Sequence, residues 1–278
     1  MVLTKLGKDC EVLYKICRTM YIVRISLRTK GFFLKVVRIS KNMQKNKKTT
    51  LIVGAGEVGS SLAEVLRPYY EVVLLDKEDR NISEGIEVMN ICFGYSDDFV
   101  SEVKRYQEKY KPRYTVIHST VPVGTSRQCD AIHSPIIGIH PYLQEGIKTF
   151  IKFLSGEKAS EVAHFFKRAG LKLYLFDKPE TTELLKVLDT TFYGLCIEYT
   201  KEIKRLCDEH GLPFEAWTLY NDNYNKGYQK LGYPEYTRPN LVPIMTEIKG
   251  HCVVPNTFFL ENEFTKLIQK LNVEARDK

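Results

Sequence analysis

From Thr50 to Phe176, short apolar runs alternate with segments whose hydrophobic positions recur every three or four residues. Leu51-Ile52-Val53, Glu71 to Leu75, Val88 to Phe93 and Tyr114 to His118 have the length and β-branched content of buried strands. Ser134 to Ile139 and Leu171 to Phe176 extend the series. Between them, Ser60 to Leu66 (Leu62, Val65 and Leu66 on one side), Asp97 to Tyr110 (ended before Pro112) and residues 157–169 (Val162, Phe165 and Phe166 together) read as helices. Strands alternating with helices over about 130 residues predict an α/β fold with a doubly wound parallel sheet.

The pattern changes at Pro179. Thr181 to His210 is the longest helical stretch, with Leu184, Leu185, Leu188, Phe192, Leu195, Ile203 and Leu206 at helical spacing and Gly211-Leu212-Pro213 as its stop. A second helix starts at Phe214 and runs to about Tyr224. The expected organisation is a basic leader over residues 1–48, a sheet domain over 49–179 and a smaller, mainly helical domain over 180–278. There is no internal repeat, and residues 220–236, rich in Tyr and Asn, form the only biased segment.

The first strand runs directly into Gly54-Ala55-Gly56-Glu57-Val58-Gly59. A G-x-G-x-x-G turn carries little weight alone, but between a strand and an amphipathic helix it marks a Rossmann-type dinucleotide-binding unit. Gly54 permits the tight turn, Gly56 the approach of a pyrophosphate, and Gly59 close packing of helix on strand. The helix N-terminus supplies unpaired N–H groups and partial positive charge. Asp76, at the end of the second strand, suits a ribose 2′-hydroxyl and would repel a 2′-phosphate, so NAD is the expected cofactor rather than NADP.

Charge narrows the possible partners. Residues 1–50 hold 13 Lys and Arg against Asp9 and Glu11, whereas residues 51–278 hold 28 basic and 32 acidic residues. The basic character belongs to the leader, so net charge gives no support for nucleic-acid binding by the globular part. The leader interleaves Val, Ile, Leu and Phe with Lys and Arg and has no uninterrupted apolar span, which argues against a transmembrane helix or a secretory signal. It reads as a membrane-surface segment, a targeting peptide or an extension upstream of a start at Met43; the last is preferred because a polar lead-in from Met43 ends at the first strand. Seven cysteines without CxxC spacing favour reduced thiols in the cytoplasm over a disulfide framework or a zinc site. His118, His133, His140 and His251 share no i, i+4 spacing, and no metal site is expected.

Three further segments follow the glycine turn in order: Ser119-Thr-Val-Pro-Val-Gly-Thr125, Glu183-Leu-Leu-Lys-Val-Leu-Asp-Thr-Thr-Phe192, and Gly250-His-Cys-Val-Val-Pro255. With them, residues 50 to about 260 resemble the nucleotide-sugar dehydrogenases, the UDP-glucose and GDP-mannose dehydrogenase family, and especially members that oxidise UDP-N-acetylmannosamine. The resemblance implies oxidation of a primary alcohol to a carboxylate in two hydride transfers to NAD, with a cysteine capturing the intermediate aldehyde. On that basis Cys252 matches the nucleophile, Lys186 the oxyanion-stabilising lysine, Thr120 the threonine that positions water, and Arg238 an arginine that contacts the sugar. Ser119 falls with the cofactor loop. A homodimer built on the long helix is also implied. Read without the resemblance, Cys252 could be a small core residue, Lys186 a solvated helix lysine and Thr120 a helix cap.

The chain departs from the family pattern at the asparagine four residues after the lysine (Thr190), the glycine before His-Cys (Lys249) and the aspartate four residues after the cysteine (Asn256). The glutamate expected after Ser134-Pro135 is Ile136, with Glu145 the nearest carboxylate in sequence. Only some 26 residues follow Cys252, too few for the family's third, nucleotide-clasping domain. The leading expectation is an NAD-dependent dehydrogenase acting on a sugar or sugar-like alcohol. The alternatives are a β-hydroxyacid-type dehydrogenase using Lys186 alone, and a non-catalytic NAD-binding module.

Overall fold

Strands β1 (Thr49–Val53), β2 (Glu71–Leu75), β3 (Ile86–Ile91), β4 (Tyr114–Ile117), β5 (Ile132–His133), β6 (Lys152–Ser155) and β7 (Leu173–Phe176) form one sheet in the order β2-β1-β3-β4-β5-β6-β7. All neighbours pair in parallel except β5 and β6, which meet antiparallel. The structure, a computed structural model, describes residues 47–76 and 85–277. From Lys48 onward these belong to one unit. The leader up to Asn46 and the polar stretch 77–84 lie outside the described residues.

The central strands are buried on both faces, as parallel strands covered by helices must be. Alternation along each strand sorts their side chains into two cores. Ile52, Val88 and Val116 face Leu62, Leu66, Phe165 and Phe166. Leu51, Val53, Met89, Ile91 and Ile117 face Phe99, Val103 and Tyr106. The first core is covered by α1 (Glu57–Leu66) and α5 (Ala159–Arg168), the second by α2 (Phe99–Tyr110). The chain order reverses between β1 and β3, so the crevice at the carboxyl ends of these strands is the topological switch point, where open α/β sheets bind ligands.

The doubly wound sheet agrees with the sequence pattern, with local corrections. Ser134 to Ile139 is not a strand: the pairing is confined to Ile132–His133, Ser134 N–H donates to Ile117 O at 2.8 Å, and Pro135 has no N–H to continue the ladder. The next elements, α4 (Leu143–Thr149) and β6, carry too little apolar periodicity to be read from sequence, and β6 begins at a lysine. The second helix of the C-terminal part, α7 (Phe214–Leu231), extends past Tyr224 to Gly232 in the left-handed region.

The longest helix, α6 (Pro179–Glu209), contradicts the usual use of helical periodicity. Leu184, Leu185, Leu188, Phe192 and Leu206 are exposed, whereas Thr182, Glu183, Val187, Thr190, Thr191, Gly194, Glu198 and Lys201 are buried. Glu198 and Lys201 enter that buried face as a pair at 2.8 Å. No helix among the described residues is long and apolar enough to cross a membrane.

A buried polar chain ties the sheet together. Thr50 donates to Val88 O at 2.7 Å, and Asn90 Nδ2 donates to Thr50 Oγ1 at 3.0 Å and Leu51 O at 3.3 Å. Asn90 therefore turns its oxygen to His118 Nε2, which donates at 2.9 Å. His118 Nδ1 lies 2.7 Å from Ser134 O and 3.2 Å from Lys152 Nζ. Burial pushes Lys152 down to about 7, and burial with the Lys152 charge holds His118 well below the usual histidine range. A lysine titrating near 7 when folded and about 10.4 when unfolded leaves the unfolded chain with more bound protons between those values. We therefore expect a contribution from Lys152 that raises stability as pH climbs from about 7 to about 10.4. Denaturant midpoints measured across that window should show a smaller rise in Lys152→Met than in the wild type.

Candidate active site

The glycine turn has the geometry that its sequence pattern requires. Gly54 adopts φ +100°, and a Cβ on Gly59 would lie 1.8 Å from Gly54 O, so only glycine lets α1 sit this close to the end of β1. A Cβ on Gly56 would meet nothing within 4 Å, leaving open space above the loop. Gly56 caps α1 without any side-chain hydrogen bond, so Ala55, Gly56, Glu57 and Val58 surround a helix N-terminus available to an anion. Asp76 is exposed at the end of β2. These features fit a dinucleotide: pyrophosphate at the open loop, adenosine ribose beside Asp76.

The Ser119-Thr120 turn leaves the carboxyl end of β4 beside this loop. Ser119 Oγ donates to Phe93 O at 2.5 Å, across the end of β3. Its carbonyl accepts from His133 Nε2 at 3.1 Å, while Thr182 Oγ1 donates to His133 Nδ1 at 2.8 Å. Burial, opposed by the Ser119 contact and reinforced by the charges of Lys152 and Lys186, holds His133 down to about 3, so the ring is a neutral spacer. Thr120 is half-buried at the same turn.

Glu183 locks α6 onto this turn. The residue is wholly buried, and its two carboxylate oxygens accept from Gly124 N–H at 2.6 Å and Ser126 N–H at 2.7 Å. The carboxylate thus satisfies the N-terminal amides of α3 (Thr125–Gln128). Lys186 follows one turn later, its side chain mostly covered and its Nζ 3.4 Å from Asp189.

The Gly-His-Cys segment packs against the same helix. Asn256 donates to Thr190 Oγ1 at 3.4 Å and to Cys252 O at 2.5 Å. A Cβ on Gly194 would lie 2.8 Å from Val253 Cγ1 and 3.0 Å from Ile268 of α8 (Glu263–Arg276), so this glycine admits the segment. Two of the positions that depart from the pattern of the resembled family, Thr190 and Asn256, are therefore partners in one hydrogen bond. Cys252 is exposed, not a core residue, and its sulfur lies 3.8 Å from His140 Nε2. His140 Nδ1 in turn pairs with Glu57 of the glycine loop. Arg238 stands apart: its guanidinium donates to Tyr224 Oη at 2.8 Å and stacks 3.7 Å from that ring on α7.

The sequence reading named Glu183, His133 and His140 but gave no role to the Glu183 clamp, the His133 bridge or the place of His140 beside Cys252. None of these roles carries a local signal: Glu183 sits in the polar run Glu180-Thr-Thr-Glu183, and its partners lie nearly 60 residues upstream. Among the described residues, no group of three or more His, Cys, Asp or Glu side chains could hold a metal ion.

No protein-family model matches the chain, and no curated protein matches it in sequence. Among solved structures, the fold is similar to UDP-D-ManNAc dehydrogenase from Pyrococcus horikoshii, with TM-score 0.65 and 16% identity over 82% of this chain and 68% of that one. It is also similar to a UDP-glucose dehydrogenase from Pyrobaculum islandicum, with TM-score 0.61 and 15% identity over 88% and 70%. A third likeness is to 3-hydroxyisobutyrate dehydrogenase from Mycobacterium tuberculosis, with TM-score 0.58 and 12% identity over 84% and 96%. At these identities the shared property is the fold.

Removing the Glu183 carboxylate leaves two buried amides without their acceptor. Glu183→Ala should lower unfolding free energy by about 2–3 kcal/mol, and Glu183→Gln by about 1–2 kcal/mol, because the amide keeps one acceptor but turns an NH₂ toward the second N–H. Urea titration checks both. A loss below about 0.5 kcal/mol in the alanine variant would show that the clamp contributes little.

Proposed function

We propose that the chain is an NAD-dependent dehydrogenase that oxidises a primary alcohol of a sugar or sugar-like substrate. The observation that supports this most is that Cys252, tied to α6 through Asn256 and Thr190, faces His140, which pairs with Glu57 of the glycine loop, while Lys186 lies on the same helix one turn after the Glu183 clamp. In this reading the loop residues Gly54 to Gly59 and Ser119 hold the dinucleotide and Asp76 its ribose. The bound nicotinamide supplies the hydride acceptor. Lys186 stabilises the negative charge that develops on the substrate oxygen, and Thr120 holds a water at its own turn. Cys252 attacks the carbonyl carbon of the aldehyde product to give a covalent adduct that is open to a second oxidation. Arg238, held on α7, is proposed as a contact to the sugar. The uncovered stripe of Leu184, Leu185, Leu188 and Phe192 is proposed as the face on which a second copy packs.

A second reading has one observation in its favour. The fold is also similar to that of 3-hydroxyisobutyrate dehydrogenase, with TM-score 0.58 over 84% of this chain. In a β-hydroxyacid-type enzyme Lys186 acts alone and Cys252 is dispensable.

Two measurements test these readings. A screen of sugar nucleotides, free sugars and β-hydroxyacids for reduction of the cofactor should find turnover with NAD and little with NADP. Asp76→Ala should narrow that preference by about tenfold, the effect of roughly one lost charge contact on a phosphate. Equal calorimetric affinity of the wild type for both cofactors would refute the assignment of Asp76. Cys252→Ser should abolish formation of carboxylate while sparing the first hydride transfer. Unchanged yield of the acid would remove the thiol from the chemistry and favour the lysine-only reading.

A further inference from the structure

Three segments distant in sequence bring a carboxylate, an imidazole and a thiol into line at the mouth of the glycine loop. Glu57, the first residue of α1, pairs with His140 Nδ1, and His140 Nε2 faces Cys252 Sγ at 3.8 Å. The Glu57 carboxylate can only accept, so it fixes the proton of the neutral ring on Nδ1 and leaves the Nε2 lone pair toward the sulfur. This is the arrangement of nucleophile, base and orienting group that activates a weak nucleophile.

We propose that His140, oriented by Glu57, is the general base for Cys252. The proposal rests on the reading in which Cys252 forms a covalent adduct with an aldehyde. As sulfur approaches, the S–H bond breaks and its proton passes to Nε2 while the S–C bond forms. The carbonyl π pair moves onto oxygen, and Nε2 then delivers the proton to that oxygen. The product is a neutral hemithioacetal, the imidazole is restored and no electrons leave the pair. Because Glu57 belongs to the glycine loop, the base is held by the same segment that is proposed to cradle the dinucleotide. Glu57 thereby acts as a positioning residue, and His140 is the group that touches the reacting sulfur.

The test is the rate at which iodoacetamide alkylates Cys252 in the full-length chain at pH 7, resolved by peptide mass spectrometry. Cys207, half-buried on α6, is the internal reference. His140→Gln should slow Cys252 by at least about tenfold, with Cys207 unchanged, since a positioned base typically contributes about 10²-fold or more. Glu57→Gln should slow Cys252 by a smaller factor, because the ring loses its orientation but keeps its lone pair. A wild-type rate at Cys252 in His140→Gln overturns the proposal. If that variant also speeds Cys207, its fold has loosened, and Glu57→Gln decides: slower alkylation of Cys252 supports the relay and an unchanged rate overturns it. The dehydrogenase reading fails separately, when wild-type protein with responsive Cys252 alkylation reduces no cofactor with any alcohol.

Discussion

A wholly buried carboxylate fixes the geometry on which the proposed site depends. Glu183 could not be carried out of water without partners, and Gly124 and Ser126 supply two backbone amides at the start of α3. The bond sets the rotation and register of α6 against the sheet together with Thr182, whose hydroxyl meets His133. Rotation of α6 decides in turn which residues face the loop. With Glu183 inward, Thr190 and Gly194 follow on the buried face and receive Asn256 and Val253. The cysteine thus reaches the glycine loop because of a contact made about two to three turns earlier in the helix.

The same rotation explains the unusual distribution of residue types on α6. Its inner face is polar because it must answer the polar ends of strands and turns, and its leucines are left outside. An uncovered apolar stripe of this kind on an otherwise well-packed helix is the physical signature of an unsatisfied surface. It also separates two uses of hydrophobic periodicity. On α1 and α5 the stripe points into the core, whereas on α6 it points away.

The proposed chemistry draws on two electrostatic regimes. Beneath the sheet ends, His118, His133 and Lys152 are shifted by burial toward their neutral forms and hold strands in place. Above, Glu57, His140 and Cys252 remain open to solvent and to one another. The buried set has fixed partners and little freedom to exchange protons, while the open set joins three segments and can. Thr190 and Asn256, departures from the family pattern in sequence, bond to each other in space, so the changed positions keep the cysteine segment attached to α6.

Sequence alone determined the repeating strand and helix pattern to Phe176, the glycine turn with Asp76 after it, and the long helix, because each is a local matter of periodicity, turn chemistry or propensity. The resemblance of its motifs to a known family made Lys186, Thr120 and Cys252 candidates, and the structure puts Cys252 at the surface beside the loop. Strand β6 and helix α4 escaped notice because they are short and one begins with a charge. Ser134 to Ile139 misled because apolar content is not pairing, and Pro135 cannot donate to a ladder. Only the tertiary structure decided which face of α6 is buried, that Glu183 clamps α3, and that Glu57, His140 and Cys252 align. Those contacts join residues some 50 to 110 positions apart, and no local pattern encodes a partner that distant.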